Sequence, residues 1–284
     1  MDYRVGYLGP EATFTHIAVK RFFSEQESIP YPTIPDCIDA AAKGEIDFAV
    51  VPLENAIEGS VNITIDYLIH EQPLAIVGEI TVPVRQHLLV HPDHAAAWQD
   101  VQTIYSHPHA IAQCHKFLNE HLKGKEVQDV TSTSAAARYV KEHPELKIAA
   151  IANEAAAEKY GLAIVHKDIH THRNNHTKFV VLHNHFGLKP PGKGECRGEK
   201  TTLMVTLPSD YAGALYQVLA AFAWRKLNLS KIESRPMKTG LGNYFFLIDV
   251  DGPYDNVLMP GAKMELEALG CSVTILGNYC CYAV

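Results

Sequence analysis

The sequence predicts an α/β protein with a large first domain and a small second domain that has the β-α-β-β-α-β order of a ferredoxin-like plan. Two observations lead to this prediction. Short apolar runs with strand character alternate with helical patterns through residues 1–186. A stretch rich in glycine, proline and charge, residues 187–200, has the composition of a linker and separates the first domain from residues 201–284.

The elements of the first domain follow from its hydrophobic pattern. The apolar runs with strand character are Val5–Leu8, Phe48–Val51, Leu74–Val82, His87–Val90, Thr103–Tyr105, Lys147–Ile151 and Lys178–Leu182. The helical patterns between them are Thr13–Phe23, Ile38–Lys43, Thr64–His70, Ala110–His121 and Ser134–His143. Strands that alternate with helices indicate largely parallel sheets. Ligands of such sheets bind at the carboxyl ends of the strands, near the amino-terminal ends of helices.

The second domain begins and ends with a strand pattern. Its predicted strands are Thr201–Leu207, Leu229–Glu233, Tyr244–Val250 and Ser272–Leu276. Its predicted helices are Ala212–Trp224 and Val257–Leu269, and the first of them places Leu215, Val218, Leu219 and Phe222 on one face. Because no pair of a nucleophile and a base is evident here, we interpret this domain as a binding or regulatory module.

Composition excludes several classes of protein. The chain has 284 residues, with 25 Lys and Arg against 32 Asp and Glu, and therefore a formal net charge of −7. Without a run of basic residues, such a chain is a poor partner for nucleic acids or anionic membranes. No apolar run reaches the roughly 18 residues that span a bilayer, and the start lacks a signal-peptide pattern, so a cytoplasmic location is predicted. The six cysteines are scattered, and we expect reduced thiols rather than a disulfide frame.

Hydroxyl, amide and imidazole side chains follow four of the predicted strands. Thr13 and Ser106 are each predicted to cap the helix that begins after its strand. Together with the free amides of helix starts, these side chains predict a cleft for a small anionic molecule. Each motif taken alone also fits an ordinary capped turn or a solvated loop. The residues at these strand ends are Thr13, Asn55, Ser60, Ser106, His107, Ser132 and Thr133.

A histidine-rich segment, residues 166–185, holds six of the sixteen histidines. Within it Thr177 places a hydroxyl group at the start of a strand. A metal site built from His170, His172 and His176 is conceivable. Because few carboxylates are present to orient such ligands, we favour a polar loop and predict no metal. The chain also lacks GxSxG, GxGxxG and P-loop motifs, so neither Ser-His-Asp hydrolysis nor nucleotide binding is supported.

Taken together, these motifs resemble the monofunctional bacterial prephenate dehydratase family over nearly the whole chain. The matching segments of the first domain are GYLGPEATF, VVPLENAIEGSV, SHPHAIAQC, TSTSAAA and RNNHTKFVVL, at residues 6–14, 50–61, 106–114, 131–137 and 173–182. The second domain resembles an ACT domain, with GAL at residues 213–215 and ESRP at residues 233–236. No helical segment similar to chorismate mutase precedes Met1, so the resemblance favours a monofunctional enzyme.

The resemblance implies a two-lobed catalytic domain like that of periplasmic binding proteins, followed by a ferredoxin-like βαββαβ ACT domain. It implies conversion of prephenate to phenylpyruvate, carbon dioxide and water, with neither a metal nor an organic cofactor. Thr177 is then the catalytic residue, which donates a hydrogen bond to the departing hydroxyl group. The residues implied to bind substrate are Thr13, Asn55, Ser60, Ser106, His107, Ser132, Thr133, Asn175, Lys178 and Phe179.

The ACT domain resembles the phenylalanine sensor of this family, which implies feedback inhibition by L-phenylalanine. Sites of that kind usually form between paired ACT domains, so a homodimer or homotetramer is expected. Since the two domains share no element in the sequence, coupling between them has to pass through their packing or through the oligomer. The alternative for Glu233 and Arg235 is a plain surface ion pair on one strand face. The residues implied to bind phenylalanine are Gly213, Ala214, Leu215, Glu233, Ser234, Arg235 and Pro236.

The chain departs from the family pattern at several positions. Lys178 stands where the family has arginine, so a point charge replaces a bidentate fork. The other departures are Ala12 for glycine, Ala56 for serine, His109 for glutamine and Ala212 for proline. Two further interpretations stay open. One is a cyclohexadienyl (arogenate) dehydratase, whose substrate differs only by an amine, and the other is a non-catalytic binding protein for small anions.

Overall fold

The computed structural model describes residues 2–209, 211–237 and 244–284, so Met1, Asp210 and residues 238–243 lie outside it. Its strands are β1 (Arg4–Leu8), β2 (Glu27–Tyr31), β3 (Phe48–Asn55), β4 (Gly59–Ser60), β5 (Ala75–Pro83), β6 (His87–Val90), β7 (Thr103–Ser106), β8 (Glu126–Asp129), β9 (Ile148–Ala152), β10 (Ala163–His166), β11 (His176–His183), β12 (Cys196–Thr206), β13 (Leu229–Pro236), β14 (Tyr244–Asp251) and β15 (Ser272–Ala283). Its helices are α1 (Phe14–Phe22), α2 (Ile34–Ala42), α3 (Asn62–His70), α4 (Pro108–Gln113), α5 (His115–His121), α6 (Thr133–Glu142), α7 (Glu154–Tyr160), α8 (Ala214–Ala223) and α9 (Leu258–Ala268). A 3₁₀ helix, Pro92–Asp100, follows β6.

The strands form two sheets, and the chain crosses between them twice. The larger sheet has the order β13-β14-β12-β15-β5-β11-β3-β1-β2, with β4 paired to β3. The smaller sheet has the order β10-β6-β9-β7-β8. The chain leaves the larger sheet after β5, builds the smaller sheet, and returns as β11. Residues 2–186, called the N-terminal part below, therefore form two lobes.

Both sheets are mixed, so the prediction of largely parallel sheets is wrong. β1 pairs in parallel with β2 and β3, and β7 pairs in parallel with β8 and β9. β11 is antiparallel to both β3 and β5, and β6 is antiparallel to both β9 and β10. Two neighbouring parallel strands are joined by a crossover connection that returns the chain to the same edge of the sheet. β11 has no such connection to β3 or β5, because the chain comes back from the other lobe and runs through the larger sheet in the opposite direction.

The elements that the sequence analysis missed are polar or short. β2 and β8 are the outermost strands at one end of each sheet, and their residues are exposed or only half-buried, so they show no apolar run. β10 and α7 span only four and seven residues. The helix predicted for Ala110–His121 is two helices, α4 and α5, because the backbone leaves helical geometry at Cys114 (φ −106°, ψ 6°).

The C-terminal part, residues 187–284, has the predicted order β12-α8-β13-β14-α9-β15. Its strands pair antiparallel, β12 with β14 and β15, and β13 with β14. All four strands are longer than predicted, and the extension is largest in β12 and β15. β12 already begins at Cys196, inside the stretch predicted to be a linker, and β15 continues past Leu276 to Ala283.

The extra length of β15 joins the N-terminal and C-terminal parts of the chain. Cys280 to Ala283 pair in parallel with Gly78 to Thr81 of β5, so one sheet passes through both parts. The strands come close where β15 starts this pairing. A side chain at Gly277 would collide with the Ile76 carbonyl group, so only glycine fits there.

Apolar side chains from both parts share the same clusters. Phe245, Leu247 and Tyr279 of the C-terminal part pack in one cluster with β3 and α2 of the N-terminal part. Tyr282 packs against Phe22, with ring centroids 4.5 Å apart, in a second cluster. Because separating the parts would expose these side chains, we do not expect the N-terminal part to fold alone.

A buried cation lies between two carboxylates where the N-terminal and C-terminal parts meet. The Nζ of Lys200 is 2.9 Å from Glu79 Oε2 and 3.7 Å from Asp249 Oδ2, and all three side chains are buried. The Thr202 hydroxyl donates to Asp249 at 2.7 Å. Burial lowers the pKa of Lys200, but the two carboxylates outweigh it and raise that pKa above its usual value. Burial in turn raises the pKa of Asp249.

Cys196 and Cys280 form a disulfide, so the prediction that all cysteines are reduced thiols is wrong for this pair. They are 84 residues apart, and the antiparallel pairing of β12 with β15 places their Cα atoms 5.4 Å apart, within the normal range for a disulfide. Scattered spacing in the sequence cannot reveal a pair that is formed by strand register. The other four cysteines are free, namely Cys37, Cys114, Cys271 and Cys281.

We expect the substitution Lys200→Met to lower the free energy of unfolding by about 3–5 kcal/mol, because the buried carboxylates of Glu79 and Asp249 would lose their cation. Urea titration of the full chain measures this change. Lys147→Met serves as the control, since its ammonium group lies on the surface 3.6 Å from Asp100 and contributes little. A Lys200→Met chain as stable as the unmodified one would show that these ion pairs do not hold the N-terminal and C-terminal parts together.

Candidate active site

A cleft between the two lobes has a volume of about 490 Å³, within the range of sites that enclose small molecules. The starts of α1, α4 and α6, the β3–β4 turn and the start of β11 form its walls. The residues that line it are Thr13, Phe14, Thr15, Pro52, Asn55, Glu58, Gly59, Ser60, Val61, Val84, Gln86, His107, His109, Ala110, Gln113, Thr131, Ser132, Thr133, Thr177 and Phe179.

Thr177 and Asn55 are direct neighbours on the adjacent strands β11 and β3. The Nδ2 of Asn55 donates to the Oγ1 of Thr177 at 2.9 Å. Since the oxygen of Thr177 already accepts this bond, its hydroxyl hydrogen is left to donate to a ligand. Among the described residues no acceptor takes that hydrogen. The pair therefore presents one directed hydrogen-bond donor to the cleft.

The orientation of the Asn55 amide is determined by its surroundings. Its Oδ1 accepts from the backbone N–H groups of Ile57 and Glu58 at 3.0 and 3.1 Å. Its Nδ2 donates also to the His176 carbonyl at 3.3 Å. If the amide oxygen and nitrogen were exchanged, the nitrogen would face two N–H donors and the oxygen would face a carbonyl oxygen. The atom that donates to Thr177 is therefore Nδ2.

Two capped helix starts face the cleft. Thr13 Oγ1 accepts from the His16 amide at 3.3 Å, which confirms the predicted cap of α1. Ser132 Oγ accepts from the Ala135 amide at 3.0 Å and caps α6. The unpaired amides and the dipole at these helix starts favour a bound anion.

Ser106 does not cap a helix, so that prediction is wrong. His107 is the capping residue of α4, and its Nδ1 accepts from the His109 amide at 3.3 Å. Ser106 is the last residue of β7, fully buried, and its hydroxyl donates to the Ile151 carbonyl at 2.7 Å. The strand extends one residue further than predicted and therefore carries Ser106 into the sheet.

The cleft brings together most of the residues predicted to bind substrate, and three lie outside its lining. Those that line it are Thr13, Asn55, Ser60, His107, Ser132, Thr133, Thr177 and Phe179. Besides Ser106, the exceptions are Asn175 and Lys178. Asn175 is buried, and its Nδ2 donates to the Oε1 of the cleft residue Gln113 at 3.2 Å.

Lys178 is held by a carboxylate on the neighbouring strand. Its Nζ lies 3.4 Å from the Oε2 of Glu54, and Lys231 of the C-terminal part lies 3.3 Å from the same oxygen. Burial raises the pKa of Glu54, but the two ammonium groups outweigh it and hold that pKa below its usual value. Thus Glu54 is ionised at neutral pH, and Lys178 has an internal partner.

Several cleft residues were not assigned a role from the sequence. His109 and Glu58 lie inside recognised motifs, and their side chains approach to 3.7 Å across the cleft. Gln86 and Gln113 are buried, and Gln113 lies inside the SHPHAIAQC motif, whereas no motif marks Gln86. Burial and the neighbouring His109 lower the pKa of His107, so its imidazole is neutral at neutral pH.

Ala12 occupies a backbone conformation that favours glycine, with φ 62°. This is the position where the resembled family has glycine. Its methyl group is fully buried in a cluster with α6 and α7, and its carbonyl accepts from Asn153 Nδ2 at 2.9 Å. Burial of the methyl group offsets the backbone strain, which explains how alanine is accommodated.

A second groove, of about 950 Å³, runs between α1 and α7 and contains none of the predicted site residues. Its walls carry charges of both signs, and Lys159 and Glu11 form an ion pair there. Within the described part of the chain, no three His, Cys, Asp or Glu side chains are grouped to hold a metal ion. None of the described helices is long and apolar enough to cross a membrane.

The residues predicted to bind phenylalanine lie on different faces of the C-terminal part. Glu233 and Arg235 point toward the N-terminal part, whereas Ser234 and Pro236 are exposed. Arg235 is buried, with Asp66 of α3 as a partner, so the alternative of a plain surface pair is wrong. The remaining residues are Gly213, which caps α8 with φ 92°, buried Ala214 and exposed Leu215.

Two lobes that enclose a small cleft, with capped helix starts and one directed hydroxyl donor, define a two-lobed α/β protein for a small anionic ligand. Similarity of sequence identifies the family within this class. The model of the prephenate dehydratase family matches residues 5–186, and the chain belongs to this family.

Individual relatives are similar to this chain over almost its full length. The prephenate dehydratase of Bacillus subtilis (strain 168) is 59% identical over 98% of this chain and 99% of its own length. The structure of prephenate dehydratase from Arthrobacter aurescens in complex with L-Phe is 34% identical, with a TM-score of 0.85 over 97% of this chain and 89% of that one. The structure of GqqA, described as a novel type of quorum quenching acylase, is 28% identical, with a TM-score of 0.84 over 98% of both chains.

We expect Asn55→Asp to reduce kcat on the order of a hundredfold, because a carboxylate oxygen would accept the Thr177 hydroxyl hydrogen that now points to the ligand. Steady-state kinetics of Asn55→Asp, Thr177→Ala and the double variant measure this effect. If the substitution acts by capturing that hydrogen, it has little further effect in the Thr177→Ala background. A full additional loss in the double variant would indicate charge repulsion by the new carboxylate instead.

Proposed function

We propose that the chain converts prephenate to phenylpyruvate, carbon dioxide and water in the cleft between its lobes. The observation that carries this proposal is the bond from Asn55 to Thr177, which leaves the Thr177 hydroxyl hydrogen to donate. The shared fold alone is weak support, since GqqA has it as well. Family membership and 59% identity to the Bacillus subtilis enzyme over almost the full chain support the dehydratase.

The reaction needs assistance at one oxygen. As the ring carboxylate leaves as carbon dioxide, its electron pair enters the ring, and the carbon–oxygen bond to the 4-hydroxyl group breaks. The ring becomes aromatic, and the leaving hydroxide takes up a proton to form water. A donor aimed at this oxygen stabilises the charge that develops in the transition state. Thr177 supplies that hydrogen bond in our proposal.

The substrate is a dianion, and the site orients it with neutral groups. The amides at the starts of α1 and α6, with Thr13, Ser132 and Thr133, are the proposed partners of its carboxylates. His107 is uncharged, so it can donate or accept without a full charge. None of the proposed steps uses a metal or an organic cofactor.

Residues 201–284 are proposed to form a regulatory ACT domain and residues 1–186 the catalytic domain, with residues 187–200 connecting them. The strand order β13-β14-β12-β15 and the two helices of the C-terminal part fit the ferredoxin-like plan. The Arthrobacter aurescens relative was solved with L-Phe, which supports L-phenylalanine as the effector of this chain. Pairing of two ACT domains would make the protein a homodimer or homotetramer. The cytoplasmic location predicted from the sequence stays a prediction.

In the proposed reaction, Thr177→Ala lowers kcat for prephenate on the order of a hundredfold or more, because one transition-state donor is lost. Thr177→Ser keeps the hydroxyl group and should retain much more activity. The formation of phenylpyruvate, followed by its absorbance, measures both variants, and arogenate is assayed in parallel. A folded Thr177→Ala protein with near-normal kcat would remove Thr177 from the mechanism. Faster turnover of arogenate than of prephenate would identify an arogenate dehydratase instead.

L-Phenylalanine is expected to inhibit the full chain saturably, through a coupling that is typically about 1–3 kcal/mol. Gly213→Val should weaken this inhibition, because a β-branched residue at φ 92° distorts the start of α8. Gly252→Val is the matched control, since Gly252 also has positive φ (103°) and open space at its Cβ but lies outside the predicted site. Both variants are compared by initial rates at increasing phenylalanine.

Indifference of the full chain to millimolar phenylalanine would overturn the regulatory proposal. Equal sensitivity of Gly213→Val and the unmodified chain would remove Gly213 from the site. Deletion of the C-terminal part is not a suitable test, because the shared clusters and the pairing of β15 with β5 would be lost with it.

A further inference from the structure

One row of charged side chains on β13 reaches from the C-terminal part to the rim of the cleft. Alternate residues of a strand point to the same face, and Lys231, Glu233 and Arg235 all face the N-terminal part. The residues between them, Ile232 and Ser234, are exposed. The three charged residues are called the β13 row below.

The β13 row contacts the hairpin formed by β3 and β4. In this hairpin Glu54 is paired with Ser60, and Asn55 with Gly59. Lys231 Nζ donates to Ser60 Oγ at 2.9 Å and to Glu54 Oε2 at 3.3 Å, so it binds both members of one cross-strand pair. The Ser60 hydroxyl donates to Glu233 Oε2 at 2.6 Å.

These bonds use both capacities of the Ser60 hydroxyl, which accepts from Lys231 and donates to Glu233. Ser60 lines the cleft, yet its orientation is determined by two residues of the C-terminal part. The adjacent cross-strand pair is held through Asn55, which bonds to Thr177 and His176 of β11. The hairpin is therefore held by β11 on its β3 side and by β13 at the Glu54–Ser60 pair.

The charges along this contact are balanced and largely shielded from solvent. Lys231 lies 3.3 Å from Glu233, and Arg235 contacts Glu233 at 2.9 Å as well as Asn62 at 2.6 Å. The Lys231 and Arg235 side chains are only 15% and 10% exposed. Bonds to ionised groups in such surroundings are stronger than exposed ones, so they can determine the position of a turn.

We propose that Lys231 and Glu233 are positioning residues of the active site, which hold Ser60 and the β3–β4 turn in the shape that binds substrate. Neither residue touches the cleft itself, since neither is among the residues that line it. Both act through Ser60, and Lys231 acts also through Glu54. The C-terminal part thus supports the wall of the cleft through contacts within a single chain. For its kinetic readout this inference rests on the proposed function.

The test compares Lys231→Met, Lys231→Arg, Ser60→Ala and the double variant Lys231→Met/Ser60→Ala in the full chain. We expect Lys231→Met to raise KM for prephenate about tenfold, the size expected for a lost charge-assisted bond, and kcat to change less because the Asn55–Thr177 bond remains. Lys231→Arg keeps a cation and should restore KM to within about threefold of the unmodified chain. Lys263→Met, on the exposed face of α9, is the matched control without effect.

The double variant distinguishes positioning from a general loss of stability. If Lys231 acts mainly through Ser60, adding Lys231→Met to Ser60→Ala raises KM much less than Lys231→Met does in the unmodified chain, whereas independent effects multiply. Hydrogen exchange of the amides of residues 55–61 gives a readout that needs no substrate. We expect faster exchange there in Lys231→Met and no change in Lys263→Met.

An unchanged KM, together with unchanged exchange at residues 55–61, would overturn the inference, and so would multiplicative effects in the double variant. Failure of the unmodified chain to convert prephenate would instead overturn the proposed function. Because the exchange measurement uses no substrate, it would still decide in that case whether β13 holds the turn.

Discussion

The parallel pairing of β15 with β5 sets the geometry of the whole molecule. It makes one sheet of two regions that the sequence separates, and it places Lys200 between Glu79 and Asp249 in the interior. An unpaired charge at this depth would be costly, so the three groups favour the one register in which all of them are matched. The core clusters formed with Phe245 and Tyr282 follow from the same register.

The geometry of the cleft follows from that arrangement of strands. β11 returns from the second lobe between β3 and β5, which places Thr177 directly opposite Asn55. The Asn55 amide is fixed by two backbone donors, so the hydrogen bond that the Thr177 oxygen accepts comes from a neutral group whose orientation results from backbone structure. A neutral donor suits a substrate with two negative charges, because it polarises the leaving oxygen without a strong ionic contact in the ground state.

The C-terminal part contacts the N-terminal part in two different ways. One contact lies in the interior and consists of the shared sheet and the buried ion pair between Lys200 and Glu79. The other is polar and lies at the rim of the cleft, where Glu233 and Lys231 hold Ser60. If β13 moved against this rim, its hydrogen bonds to Ser60 and Glu54 would carry the movement to the β3–β4 hairpin.

The order of elements in the C-terminal part, the family resemblance and most of the cleft could be predicted from the amino-acid sequence. Hydroxyl and amide residues at strand ends were correctly expected to converge, because the ends of neighbouring strands meet at one edge of a sheet. Thr13, Asn55 and Ser132 are predicted in this way, whereas the role of Thr177 follows from the family resemblance. A local pattern is enough to predict these positions, because the residues next to each one in the sequence show that a strand or helix ends there.

Contacts between distant segments could be known only from the folded chain. Strand register paired Cys196 with Cys280 across 84 residues, and it buried Ser106 in β7, where a helix cap was expected. Residues 196–200 of the predicted linker are part of β12 because β14 and β15 supply hydrogen-bonding partners. Lys178 contacts Glu54, and Lys231 contacts Ser60, because strands from distant segments of the chain lie in one sheet. A hydrophobic pattern reports which residues are buried, but it does not report which buried or polar residue faces which, and those pairings are set by register.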